Sequence, residues 1–295
     1  MPAPVDGAFS MSADGRFVAF RASDSHAAVI DLCRDLPLVL DIPLPDNVRC
    51  IAPSADGTGI AFADKDGIGF ASKSSRVSSA PLPPDIGEPK SISVSPRTGR
   101  LYLTSESMTG NLLSTFDASH LRDTVPLEGG QDSHHEMLWA PPLDAFGVDV
   151  SCGQDGTWFH WFSEDVEAVR ARNVLDCRHD PQGLAGFVSR DRFATVSSDR
   201  VRAWDLERLE CHAQYEFPPE TISDYHGAVW RGLFVVPLHS TTNDTTGLIL
   251  LRGDDLALVH RIALSSGYVD TFCLPNGVVA IQDQRRWSLH RLADL

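Results

Sequence analysis

The sequence predicts an all-β fold made of seven repeats, and three patterns that share one period support this prediction. The first pattern is a series of short apolar or alternating runs separated by Gly, Asp, Asn, Ser and Pro, which is typical of strands joined by turns. Residues 9–20, 51–62 and 93–103 share one plan, in which two small apolar strands flank a turn containing Ser, Pro, Asp or Gly. Weaker copies of this plan lie at 139–150, 186–196, 229–236 and 272–281.

The turn of each copy sets the period of the repeat. The seven turn residues, which are 42, 42, 48, 45, 40 and 45 residues apart, are Gly15, Gly57, Gly99, Gly147, Arg192, Gly232 and Gly277. A four-stranded propeller blade takes about 40–45 residues, and glycine suits such a turn because it accepts positive φ without steric cost. The spacing predicts a seven-bladed β-propeller of four-stranded antiparallel blades that fills residues 1–295 as a single domain.

Two further markers recur in phase with these turns. An acidic residue follows the second strand of each copy, and these residues are Asp24, Asp66, Glu106, Asp155, Asp199, Asp244 and Asp283. An apolar residue followed by an aspartate ends the third strand at Asp31, Asp117 and Asp205, which are 86 and 88 residues apart. We expect each acidic turn residue to accept backbone N–H bonds within its own blade. Together these residues predict a negatively charged face, which attracts basic partners.

Residues 179–206, HDPQGLAGFVSRDRFATVSSDRVRAWDL, resemble a blade of the WD-repeat family, whereas the other copies match only the strand plan. In that family a His, a Ser or Thr, an Asp and a Trp form a hydrogen-bonded network. The resemblance assigns these structural roles to His179, Ser197, Asp199 and Trp204. It also implies a rigid platform that binds other proteins, because propellers of this kind mostly serve as interaction platforms.

The last copy leaves two arrangements open for its blade. A short strand through Ala3–Val5 supplies the missing outer strand and joins the chain ends, or the last blade has three strands. The difference matters because an unpaired sheet edge invites pairing with other chains.

The charge balance and the start of the chain narrow the classes of function. With 25 Lys and Arg against 40 Asp and Glu, the net charge is −15, which disfavours a nucleic-acid partner because such binding rests on neutralising phosphates. No run approaches the roughly 20 apolar residues that cross a bilayer, and the first residues lack the basic and apolar regions of a signal peptide. We therefore expect a cytoplasmic protein with no membrane partner, in which the scattered cysteines are free, buried thiols.

Catalytic signatures are missing from the sequence, which contains neither a Gly-x-Ser-x-Gly elbow, a phosphate-binding glycine loop nor a His-Glu-x-x-His zinc motif. An enzyme is therefore the less favoured reading, and we expect no cofactor. The densest polar group is Asp132, His134, His135 and Glu136, at the start of the fourth blade. Because imidazoles and carboxylates are good metal ligands, a metal site of His135, Glu136 and His226 is an alternative to histidines that simply brace their loops.

The main expectation for function is a non-catalytic scaffold that binds another protein. A partner with a basic surface is one such protein. The connections that lead into each blade are expected to form the interface, with contact residues Arg49, Lys90, His134, Tyr225 and Asp270. The alternative is a propeller enzyme, or a protein that binds a small molecule or metal, with a site at the axial mouth built from the same connections.

Overall fold

The computed structural model describes residues 10–33, 39–73, 78–118, 120–140, 145–166, 174–178, 181–189, 191–224, 226–243, 245–265, 270–274, 277–283 and 286–294. Within these ranges the regular structure is β-strand, apart from 3-10 turns at Gly153–Asp155 and Leu292–Asp294. None of these ranges holds a helix that is long and apolar enough to cross a membrane.

The first five sheets each contain four antiparallel strands that follow one another in chain order. The first sheet consists of β1 (Ser10–Met11), β2 (Phe17–Ser23), β3 (His26–Asp31) and β4 (Val39–Pro43). The second consists of β5 (Cys50–Pro53), β6 (Gly59–Ala63), β7 (Gly67–Ser72) and β8 (Ser78–Pro81). The third consists of β9 (Glu88–Val94), β10 (Leu101–Ser107), β11 (Gly110–Asp117) and β12 (His120–Leu127).

The fourth and fifth sheets repeat this plan. The fourth consists of β13 (His134–Ala140), β14 (Ala145–Ser151), β15 (Gly156–Ser163) and β16 (Val174–Arg178). The fifth consists of β17 (Gly183–Ser189), β18 (Arg192–Val196), β19 (Arg200–Asp205) and β20 (Glu210–Glu216). Burial follows strand position, because Leu101–Ser105 of the second strand β10 are all buried whereas the fourth strand β12 is almost entirely exposed.

The last two sheets depart slightly from the plan. The sixth consists of β21 (Thr221–Ile222), β22 (Ala228–Trp230), β23 (Leu233–Ser240), β24 (Thr246–Arg252) and β25 (Leu258–Ser265), and its first two strands pair with the same edge of β23. The seventh shows the three strands β26 (Asp270–Leu274), β27 (Val278–Asp283) and β28 (Arg286–Arg291). The candidate closing strand at Ala3–Val5 lies outside the described residues. Seven antiparallel sheets confirm the predicted fold class, a seven-bladed β-propeller.

The chain divides into two compact units, each with its own apolar cores. The N-terminal unit comprises Pro4–Cys152 and Trp158–Val174, and the C-terminal unit comprises Met1–Ala3, Gly153–Thr157 and Leu175–Leu295. In the N-terminal unit the cores form around residues such as Phe62 and Phe146, and in the C-terminal unit around Phe234, all at most 1% exposed. The single domain inferred from the sequence stays a prediction.

Most of the predicted turn glycines adopt the left-handed backbone that the sequence analysis assigned to them. Gly57 has φ +69°, and a Cβ atom there would lie 2.2 Å from the ring of Phe17, so both conformation and space require glycine. Gly147 is a correction, because it lies inside β14 opposite Leu138 rather than in a turn. Residues 141–144, which separate β13 from β14, lie outside the described residues.

The cysteines also differ in part from the expectation. All six are free, and Cys177 and Cys273 are buried as predicted, but Cys33 and Cys211 are exposed.

A buried carboxylate ties the third sheet to the fourth within the N-terminal unit. Glu164, 5% exposed, follows β15 and accepts hydrogen bonds from the Ser95 hydroxyl and, at 2.7 Å, from Nε of Arg97. Its backbone carbonyl accepts a further bond of 2.8 Å from each of Arg100 and Tyr102. One residue therefore satisfies four donors from the second strand of the third sheet and the turn that precedes it.

Candidate functional site

The connections into the first strands of the second, third and fourth sheets lie at one end of those sheets. In a four-stranded antiparallel sheet this connection and the turn between strands two and three share an end. Contacts confirm the geometry, since Ser105 at the end of β10 donates to the carbonyl of Ile86 in the preceding connection. We call this surface the loop end; it comprises connections 44–49, 82–87 and 128–133 with turns 24–25, 64–66 and 108–109 and their flanking strand ends.

Glu106 holds the connection at 128–133 in place. Its carboxylate accepts the backbone N–H of Asp132 at 2.7 Å and of Ser133 at 3.2 Å, and it forms an ion pair of 3.0 Å with Lys90. Burial opposes ionisation, but these N–H groups and the Lys90 ammonium outweigh it and lower the pKa of Glu106. Glu106, which lies near the end of β10 rather than in the predicted turn, thus braces the connection into the next sheet and not its own blade.

A buried polar group supports the same connection from beneath. The Ser133 hydroxyl lies 3.0 Å from Oδ1 of Asn111 and 2.7 Å from Nε2 of His135, and Asn111 donates to the carbonyl of Gly130 at 2.9 Å. Burial, followed by the charge of Lys90, lowers the pKa of His135 to about 4, so the imidazole is neutral at pH 7. His135 is 2% exposed and braces the connection instead of facing solvent.

Strand alternation separates the predicted ligands of β13. Successive side chains of a strand point to opposite faces, and accordingly His134 is exposed, His135 is buried and Glu136 is partly buried. Although His134 is exposed to solvent on one side, the water lost around its ring and, after that, the charge of Lys90 lower its pKa. Burial raises the pKa of Glu136 to about 7. The backbone N–H of Glu136 donates to Oδ1 of Asp149 at 2.9 Å.

The metal site of His135, Glu136 and His226 stays a prediction. The described residues contain no group of three or more His, Cys, Asp or Glu side chains that could hold a metal ion. Within β13, His135 and Glu136 face opposite sides of one strand.

The remaining predicted site residues are placed as follows. Arg49 forms an ion pair with Glu88, and with Lys90 and His134 it belongs to the loop end. His226 lies in the C-terminal unit, exposed, with its ring 5.1 Å from that of Phe272. Asp270 begins β26, but its side chain lies outside the described part of the structure. Tyr225 and His179 lie outside the described residues altogether.

The loop end carries a surplus of negative charge that sequence reasoning had only partly identified. Its basic side chains are paired with carboxylates, in the pairs Arg21–Asp24, Arg49–Glu88, Lys65–Asp66 and Lys90–Glu106. Four exposed carboxylates have no ion pair among the described residues, and these are Asp46, Asp85, Glu128 and Asp132. The first three were missed, although each lies in a connection that leads into a sheet.

The network assigned by the WD-repeat resemblance is formed with a different partner. The indole N–H of Trp204 donates to Oγ1 of Thr195 at 2.8 Å, and the Ser197 hydroxyl donates to Asp199 at 2.8 Å. Trp204 pairs in register with Phe193, so Thr195, two residues along, is its nearest polar neighbour on that face. Ser197 is a further two residues away, in the turn between β18 and β19.

Thr195 is therefore expected to matter more than Ser197 for stability. In Thr195→Val the Trp204 indole loses its acceptor. The side-chain oxygen of Gln182, whose carbonyl accepts a bond from Thr157 in the same buried network, loses the hydroxyl that donates to it. We expect a loss of about 1–2 kcal/mol in the free energy of unfolding, measured by urea denaturation. Thr195→Ser keeps the hydroxyl and is the control; an equal loss in both variants contradicts the role of the hydrogen bond.

Comparisons with known proteins agree with this fold. The crystal structure of the Myceliophteria thermophila Cps50 (Swd1) β-propeller domain superposes with a TM-score of 0.64 and 10% sequence identity, covering 96% of this chain and 95% of that chain. No protein-family model matches the chain, and no curated protein matches it. The likeness confirms a WD-repeat-like β-propeller and, at this identity, shows the fold alone.

Proposed function

We propose that the chain is a non-catalytic propeller that binds another protein through the loop end of its N-terminal unit. The observation that carries the proposal is the charge pattern of the loop end. Its basic side chains are held in ion pairs, while four exposed carboxylates have no such pair within the part of the chain that the structure describes, and these are Asp46, Asp85, Glu128 and Asp132. Such a surface fits a partner with a basic surface, because unpaired carboxylates attract Lys and Arg and speed their association.

The rigidity of the loop end supports a binding role. Glu106 fixes the backbone of the connection at 128–133, and the buried group of Asn111, Ser133 and His135 supports it from the interior. A surface that is ordered before binding loses less conformational freedom in the complex. The WD-repeat-like fold adds support by analogy.

Charge reversal at the loop end tests the proposal. We expect an oligolysine peptide, followed by fluorescence anisotropy, to bind the unaltered chain at low salt and about tenfold more weakly to the double variant Asp46→Lys, Asp85→Lys. The double variant Glu207→Lys, Glu210→Lys makes the same charge change on the C-terminal unit and is the matched control.

Two results would contradict this function. One is an equal loss of affinity in both double variants, which indicates attraction by net charge alone. The other is no binding by the unaltered chain at low salt. Several expectations stay predictions. They are a cytoplasmic location and the absence of a cofactor, of a nucleic-acid partner and of a membrane partner. The alternative of an enzyme or small-molecule site at the axial mouth also stays a prediction.

A further inference from the structure

The first strand of the sixth sheet is broken into two pieces. β21 pairs with the far end of β23 through Thr221 and Ile222, and β22 pairs with the near end through Ala228–Trp230. Between these pairings, five residues, 223–227, stand opposite only three residues of β23, 236–238. The segment therefore leaves the sheet with two residues in excess, as in a large β-bulge.

Pro237 explains where the break occurs. The N–H of Ser240 bonds Thr245 in the turn to β24, whereas the N–H of Thr241 bonds the carbonyl of Glu220 on the other side. Because backbone groups alternate between the two edges of a strand, residue 237 faces the broken strand. Proline has no N–H to donate there, so the sheet loses a bond at that position.

Polar contacts, rather than apolar packing, hold the outer piece. Besides its short pairing with β23, the backbone of this piece accepts a 2.8 Å bond from the N–H of Thr241 at Glu220 and donates a 3.0 Å bond from Ser223 to the carbonyl of Ser198. The Asp224 carboxylate lies 2.8 Å from Nε2 of His239, a 3% exposed imidazole on β23. On its other nitrogen, His239 lies 3.1 Å from the hydroxyl of Thr246.

Little in this piece resists opening. Ile222, its one large apolar side chain, is 41% exposed, and the Ser223 hydroxyl is buried with no hydrogen-bond partner among the described residues. A buried hydroxyl without a partner destabilises the closed arrangement. By contrast, Phe217 and Ala228, on either side of it, are buried in the apolar cores.

We propose that residues 218–224 form a latch that opens as a local unit while the rest of the sixth sheet stays folded, and that the Asp224–His239 contact is its lock. Segments with few buried apolar contacts open at lower free energy than the core of a fold. The buried residues Phe217 and Ala228 on either side of the segment stay in place. When the latch is open, the edge of β23 at His239 and Thr241 has lost its partner strand. Unpaired groups on a strand edge can accept an added strand, so the latch controls access to this edge.

Hydrogen exchange of the full chain, resolved by residue, tests the latch. We expect the amides of Ser223 and Thr241 to exchange faster than that of Phe234. Their exchange rates should change little at low urea concentrations, because a local opening exposes little surface. In Asp224→Ala these two amides are expected to exchange about tenfold faster, while the Phe234 amide and the melting temperature change little. Asp255→Ala, which removes an exposed ion pair with Arg252 in the same sheet, is the matched control and leaves all three rates unchanged.

His239→Gln gives a second route to the same answer, since glutamine can still reach Thr246 but does not reproduce the geometry of the lock. It is expected to accelerate the same two amides. The proposal is overturned if Ser223 and Thr241 exchange at the rate of Phe234 in the unaltered chain. It is also overturned if Asp224→Ala accelerates all amides of the sheet equally or none.

Discussion

Replacing Glu164 with alanine is expected to lower the free energy of unfolding by about 3 kcal/mol. The substitution removes a buried carboxylate and leaves the Ser95 hydroxyl and the Arg97 guanidinium without their acceptor. The Arg97 side chain is 60% exposed, so water compensates part of its charge and keeps the loss near the lower end of the range for buried pairs. Urea denaturation of the full chain measures the change.

The neighbouring Asp165 provides a matched control for this prediction. Its side chain is 69% exposed and forms an ion pair of 3.1 Å with Arg100, so Asp165→Ala is expected to cost no more than about 1 kcal/mol. Similar losses for Glu164→Ala and Asp165→Ala would show that burial of the carboxylate is not what stabilises this contact.

Glu136→Gln is expected to stabilise the protein at pH 8 by about 2–3 kcal/mol and to change little at pH 4. Burial raises the pKa of Glu136 from its ordinary 4.5 to about 7, so the folded chain holds a proton that the unfolded chain releases between these values. The unfolded state binds fewer protons in that window, and stability therefore falls as the pH rises from 4.5 to 7. Glutamine carries no charge and removes this contribution.

Thermal unfolding between pH 4 and pH 8 measures the effect of Glu136. The difference in melting temperature between Glu136→Gln and the unaltered chain should grow from pH 5 upwards and level off above pH 7. Glu207→Gln changes an exposed glutamate and should show no such rise. A difference that is constant across the range contradicts ionisation of Glu136 as the cause.

The sequence allowed the fold to be predicted because burial in a blade follows a regular order. β6 is buried at every position and reads as a short apolar run, so the middle strands and their glycine turns recur visibly. The outer strand β12 is almost wholly exposed, which leaves its sequence free of an apolar pattern. The misplacement of the fourth turn at Gly147 has a related cause, because a glycine inside a strand has the same letter as a glycine in a turn.

The candidate site was harder to predict because its geometry depends on contacts between separate connections. The sequence marked Lys90, His134 and Asp132, but the bond from Glu106 to the next connection joins residues 26 positions apart. Thr195 was overlooked as the acceptor for Trp204 because only the strand register decides between two hydroxyls that are two residues apart. Spacing along the chain does not contain this information.

The alternation of His134, His135 and Glu136 along β13 has a consequence for how this surface tolerates change. The exposed His134 can be exchanged to alter what the loop end contacts, while the buried His135 keeps the connection in shape. A single inserted or deleted residue before His134 instead shifts the strand by one position and exchanges the two roles. At the start of this sheet, substitutions can therefore diversify recognition gradually, whereas changes in length disrupt recognition and support together.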